Sequence, residues 1–171
     1  MVGNGTSGSE GILGEEQRNE REQIVAMLEK AYWMEIETVM SYIANSVNPD
    51  GVRAQEIRQS LEQDIAEELA HAQQFAQRIK ELYGVVPGSQ QFKPEQSYLQ
   101  PPKQQTDIAS VIRGVIEAEN GAIEHYEKIV EATDGVDPVT QDMVIAILRD
   151  EQGHRRLFEG FLREYEAEGL A

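Results

Sequence analysis

Leu148-Arg149-Asp150-Glu151-Gln152-Gly153-His154 places a glutamate and a histidine three residues apart inside an otherwise apolar helical pattern. Three residues of α-helix turn through about 300°, so the two side chains stand about 60° apart on one face and reach the same small ion. The pattern occurs twice: Glu67-Glu68-Leu69-Ala70-His71 repeats it, again with an acidic residue directly before the glutamate. In a chain so rich in glutamate one match carries little weight. Two matches, each at the centre of an apolar stripe, ask for an explanation from the fold.

Those stripes define four helices. From about Glu22 to Val47 the residues Ile24, Leu28, Ala31, Glu35, Val39 and Tyr42 recur at steps of three and four, until Asn48-Pro49-Asp50-Gly51 breaks the run. A second helix runs from about Val52 to Tyr83, with Ile57, Leu61, Ile65, Glu68, Ala72, Phe75, Ile79 and Leu82 on its stripe and Gly84 as its stop. The third is expected from Thr106, as N-cap, to Thr133, carrying Ile112, Val115, Glu119, Ala122, Tyr126 and Ile129. After the turn Asp134-Gly135-Val136-Asp137-Pro138 comes the fourth, with Val144, Ile147, Glu151, His154, Phe158, Phe161 and Tyr165, fading near Gly169. Between the second and third helices, residues 84–105 hold four prolines and many glutamines, which suits an extended connection. Twenty-two extended residues span roughly 70 Å and a 27-residue helix about 40 Å, so this segment can return along the full bundle. The expected fold is all-α: an antiparallel four-helix bundle over residues 21–171 with a long crossover between helices 2 and 3. Residues 1–20, mostly small and polar, are expected to form a flexible N-terminal tail.

Composition narrows the chemistry. The 171 residues contain no cysteine, which removes disulfides, thiolate metal sites and thiol catalysis. A formal charge of −16 disfavours nucleic acid as a partner and suits cations, although most of these charges are expected simply to solvate the surface. No apolar run approaches the roughly 18–20 residues of a membrane span and no leader pattern opens the chain, so the expectation is a cytoplasmic protein without membrane contact.

Each stripe carries a glutamate where leucine would be ordinary: Glu35, Glu68, Glu119 and Glu151. A carboxylate in a core costs several kcal/mol unless it is protonated, paired or bound to metal. No Lys or Arg lies on these stripes. Glu35 and Glu68 are 33 residues apart, Glu119 and Glu151 are 32 apart, and each first-helix glutamate is followed seven residues later by a tyrosine, Tyr42 or Tyr126. The chain therefore reads as two similar helix pairs whose four carboxylates meet at one level, related by a local two-fold axis if the connection traverses the bundle. With His71 and His154 they make six ligands for two metal ions; four carboxylates are neutralised by two divalent cations. Oxygen-rich ligation with imidazole favours iron or manganese, and zinc remains a possible substitute.

The arrangement resembles ferritin-like proteins of the bacterioferritin and rubrerythrin branch, over about residues 22–168. The segment Met143 to His154 is especially similar to bacterioferritins. The resemblance implies Glu35, Glu68, His71, Glu119, Glu151 and His154 as both metal ligands and catalytic residues, with Glu68 and Glu151 bridging two iron ions. It implies oxidation of Fe(II) by dioxygen or hydrogen peroxide, ferroxidase chemistry serving iron storage or detoxification, and a homo-oligomer that forms a hollow shell in many relatives. Two departures matter. Bacterioferritins carry a haem-ligating methionine where this chain has Leu69, so no haem is expected. Rubrerythrins carry an extra glutamate where this chain has Ala122, and a cysteine-bound iron module that is missing, which makes a rubrerythrin-like peroxide reductase, or another stand-alone di-metal oxidoreductase, the alternative.

Other residues carry weaker expectations. Glu37 and Glu117 are the off-stripe rivals of Glu35 and Glu119. Asp150 and Glu67 are placed to accept the outer ring N–H of the histidine on the opposite motif, which would fix its orientation. His125 is off the ligand face and is expected at the surface. Ile36, Met40, Ile43 and Val47 form a second apolar stripe on the first helix, covered either by the crossover or by another subunit.

Overall fold

A computed structural model describes residues 11–171 of the chain; the first ten residues of the expected tail lie outside the described part. Four long helices account for most of it: α1 (Arg18–Val47), α2 (Ala54–Glu81), α3 (Ile108–Thr133) and α4 (Pro138–Ala167). α1 packs chiefly on α2 and α3 on α4, and the two hairpins close face to face into a bundle. None of the described helices is long and apolar enough to cross a membrane.

The described part of the segment expected as tail, residues 11–20, is ordered against the bundle. Gly11–Leu13 and Glu15–Gln17 form short 3-10 turns, and α1 starts at Arg18. The reason is a local anchor: the buried Arg21 guanidinium donates to the carbonyls of Ile12 and Gly14, at 3.0 and 2.8 Å, and Ile12 is drawn into the core. α3 is capped by Asp107, whose carboxylate accepts the Ser110 N–H at 3.1 Å, one residue beyond the expected Thr106. α2 ends through Tyr83 in the left-handed region (φ 64°), and the Gly84 N–H closes the turn on the Ile79 carbonyl at 2.8 Å. Gly84 is required here for space: a Cβ would come within 2.9 Å of that same carbonyl and of Val25.

The crossover runs the length of the bundle. It leaves α2 beside the α3–α4 turn, where Arg78 pairs with Asp137 at 2.9 Å, and ends beside the α1–α2 turn, where the Asp50 N–H meets the Gln105 carbonyl at 2.8 Å. The two helix pairs therefore run in opposite senses, as the local two-fold requires. Along the way Glu37, the off-stripe rival of Glu35, is buried and accepts the backbone N–H groups of Glu95 and Gln96 at 2.8–2.9 Å. Asn45 donates to the Leu99 carbonyl at 2.9 Å, and Gly114 on α3 lets the strap pass: a Cβ there would sit 2.6 Å from the Tyr98 carbonyl oxygen.

Two apolar clusters fill the interior. One holds Ile24, Leu28, Phe75, Ile79, Ile129, Val144 and Ile147; the other Ile57, Leu61, Ile112, Val115 and Phe158. Fully burying one such side chain is worth about 1.5–3 kcal/mol, so the clusters stabilise the bundle on either side of a layer that is not apolar. That layer is made of Glu35, Glu68, Glu119 and Glu151, each 1–2% exposed.

Candidate metal centre

The structure brings together all six residues that the sequence singled out. Each helix contributes its mid-stripe glutamate, and α2 and α4 add His71 and His154 one turn further on. Their ligand atoms fall into two overlapping groups: Glu35, Glu68, His71 and Glu151, and Glu68, Glu119, Glu151 and His154, every atom of a group lying within 4.8 Å of the others. Glu68 and Glu151 belong to both. The rivals are elsewhere: Glu37 holds the crossover and Glu117 is exposed.

The contacts within the cluster are close but not those of a closed hydrogen-bond network. His71 Nδ1 lies 3.0 Å from Glu151 Oε1 and 3.5 Å from Glu68 Oε2; His154 Nδ1 lies 3.2 Å from Glu68 Oε1 and 3.4 Å from Glu151 Oε2. Yet both Nδ1 atoms, both Glu151 oxygens and Glu68 Oε1 are buried without an aligned hydrogen-bond partner. Buried polar atoms are ordinarily paired. Here they converge on shared points instead of on one another, and a carboxylate-imidazole donor set of this kind fits divalent metal ions.

Around the cluster, Glu119, Glu35 and the outer ring nitrogen of His154 are hydrogen-bonded by neighbouring side chains. Tyr42 donates to Glu119 Oε1 at 2.5 Å, and Tyr126 donates to Glu35, so each tyrosine of one helix pair steadies the carboxylate of the other. His154 Nε2 sits 3.1 Å from Glu67 Oε2, and His71 Nε2 lies 3.7 Å from Asp150 Oδ2, the crossed pairing expected from the two motifs. Such partners orient the imidazole so that Nδ1 faces inward.

Electrostatics follow from burial and crowding. Burial, then the neighbouring Glu151 and Glu68, pushes Glu35 well above the usual carboxylate range, and burial followed by Glu68 does the same to Glu119. Against the burial that opposes them, His71 is pushed up to about 10 and His154 to about 12 by their contacts with Glu151 and Glu68. Burial would raise Glu68 too, but the close approach of the His154 and His71 imidazoles pulls it down to about 2.

Comparison with known proteins identifies the family and the fold. The model of the ferritin-like domain family matches residues 25–167. This chain belongs to the ferritin family. Among curated proteins it is 30% identical, over 146 residues, to the DNA protection during starvation protein of Pyrococcus furiosus, covering 82% of this chain and 77% of that one. Two solved structures share the fold with a TM-score of 0.75: the dodecameric thioferritin of Bacteroides fragilis, described as bacterioferritin-related, and the bacterioferritin of Desulfovibrio desulfuricans with its diiron site. The first is 24% identical over 87% of this chain and 89% of its own; the second is 22% identical over 88% and 84%.

Three features of the structure differ from or add to the sequence expectations. His125 is buried, not superficial: its Nε2 meets the Met27 carbonyl at 2.9 Å between α1 and α3, and burial lowers its pKa. Met40, Ile43 and Val47 remain 49–66% exposed, because the crossover lies over the neighbouring Glu37, Thr38 and Asn45 face of α1. Asp64, which no motif contains, is 7% exposed, with Oδ1 3.9 Å from His154 Nε2 and its pKa raised to about 6 by burial. Its signal in the sequence is position alone: it lies one helical turn before Glu68 on the core face.

Proposed function

We propose that this chain binds two Fe(II) ions as substrate at Glu35, Glu68, His71, Glu119, Glu151 and His154, and oxidises them with dioxygen or hydrogen peroxide for iron storage or detoxification. The observation that carries the reading is the pair of overlapping four-residue groups sharing Glu68 and Glu151. Carboxylates common to both groups hold two ions close enough to act on one oxidant. Two Fe(II) then supply the two electrons that, with two protons, convert one dioxygen to one hydrogen peroxide, or one hydrogen peroxide to two waters. Oxygen-rich ligation favours the harder Fe(III) product and so eases the oxidation.

Manganese and zinc suit the same donors and are expected to compete with iron. With no cysteine, this chain supplies no rubredoxin-type route of its own for re-reducing Fe(III) in place. Turnover by fresh Fe(II) is therefore preferred over a peroxide reductase cycle. The Pyrococcus furiosus relative is named for DNA protection during starvation; in this chain a charge of −16 works against phosphate contact, and removal of Fe(II) and peroxide is the chemical route to the same end. Assembly as a homo-oligomeric shell is supported by the exposed Met40, Ile43 and Val47 stripe and by the dodecameric neighbour.

Under air, more than two Fe(II) should be oxidised per chain, with the rapid phase lost in Glu35→Ala or Glu119→Ala. Oxidation that stops at two and resumes only when a reductant is added would assign a stand-alone oxidoreductase instead.

A further inference from the structure

The two halves of the centre match in their ligands and differ in the carboxylates behind their histidines. Four residues before Glu68 stands Asp64; four residues before Glu151 stands Ile147. Both face the interior, 7% and 1% exposed. Asp64 Oδ1 lies 3.9 Å from His154 Nε2, beyond a hydrogen bond, and Oδ2 is buried with no hydrogen-bond partner. His154 Nε2 thus faces two carboxylates, Glu67 at 3.1 Å and Asp64. Among the described residues His71 Nε2 has an ion-pair contact with Asp150 alone, at 3.7 Å.

We propose that Asp64 makes the two ion positions unequal, so that the first divalent ion settles on the His154 side and the second on the His71 side. This rests on the two-ion reading of the preceding section. Glu67 and Asp150 are 59% and 39% exposed at the side chain, so solvent screens much of their charge. Asp64 is buried and acts through a poorly screened medium, where a nearby negative charge strengthens the imidazole as a donor and attracts a cation. Asp64 is a positioning residue: it acts on the ion through His154. The consequence is a threshold. Oxidation that needs both ions starts at the Fe(II) concentration that fills the weaker His71 side, while the His154 side is already loaded.

The test is a Co(II) titration of the full-length chain, first stripped of metal by chelation and then followed by visible absorption. The wild type should bind two ions in resolved steps whose Kd values differ about tenfold or more, the usual size of an effect from a partner of a ligating histidine. His154→Ala should abolish the tight step and leave the weak one; His71→Ala should do the reverse. Asp64→Asn should bring the steps together by weakening the first. Asp64→Leu, which removes a buried charge and copies the apolar residue of the other half, should give the same isotherm if the amide variant folds poorly. Two equal steps in the wild type, or unchanged steps in both Asp64 variants, overturn the inference and leave the two-ion reading intact. Parallel weakening of both steps would make Asp64 merely structural and also overturn it. Failure to bind two Co(II) at all would overturn the two-ion reading itself.

Discussion

Glu35 and Glu37 show how two residues of one type, a fraction of a turn apart, take unrelated work. Glu35 faces three other carboxylates and two imidazoles; Glu37 faces two backbone N–H groups of the crossover. In chain stripped of metal by chelation, protons replace the cations at the first of these surroundings. His71, up to about 10, and His154, up to about 12, lie above the roughly 6.5 of an unfolded histidine. Their stabilisation is therefore complete below about pH 6.5 and is lost as pH rises through about 10 and then 12. Glu35 and Glu119, also raised, contribute with the same sign. Glu68, lowered to about 2, contributes stability that is present above about pH 4.5 and is lost only as pH falls through about 2. The chelated chain should melt at progressively lower temperature from pH 7 to pH 10. Metal binding, which must displace these protons, should strengthen from pH 5 to pH 7. Calorimetry at several pH values checks both, with His71→Ala/His154→Ala as the control that should lose most of the alkaline slope; an equal slope in that variant would refute the assignment.

The crossover is an extended strap whose one fully buried apolar side chain is Leu99, so the rest of its position depends on a few polar anchors. Glu37 supplies acceptors to the N–H groups of Glu95 and Gln96, and Gln96 in turn donates to Thr38 Oγ1 at 2.8 Å. Removing the carboxylate leaves those donors, one of them on a buried residue, without partners, at a cost of about 1–3 kcal/mol. Glu37→Ala should therefore lower global stability by about that amount and expose residues 88–100 to protease, while metal content stays at the wild-type level. Limited proteolysis with elemental analysis separates this from Glu35→Ala, whose strap should resist cleavage. Arg78 at the far end makes a different kind of tie, pairing with Asp137, which also caps α4 through the Thr140 N–H at 3.1 Å.

Two apolar clusters sandwich a layer of charge, and that layer is the least self-sufficient part of the protein. Its orphaned oxygens and ring nitrogens have no favourable arrangement without a cation or bound protons. Glu68→Ala combined with Glu151→Ala removes both shared carboxylates. The variant should retain its helical circular dichroism, because the clusters above and below are untouched, and should hold close to no tightly bound metal. Two metal ions per chain in that variant, measured by elemental analysis, would reject the proposed ligand set.

Most of the bundle and the six-residue cluster were legible along the chain because both are periodic. A stripe at steps of three and four states which face is buried, and a charged residue on that face stands out whatever surrounds it. Equal spacing of the glutamates from their turns then brings them to one level without any further information. What the chain did not display depends on which surfaces happen to meet. Composition could not show that Arg21 would gather Ile12 into the core, that Glu37 would face the strap, or that His125 would be covered by α1. Nor could it show that Asp64 would end 3.9 Å from the back of His154, on a helix of the other pair. Burial and electrostatic coupling at these residues come from contacts between segments distant in sequence, and no local periodicity encodes them.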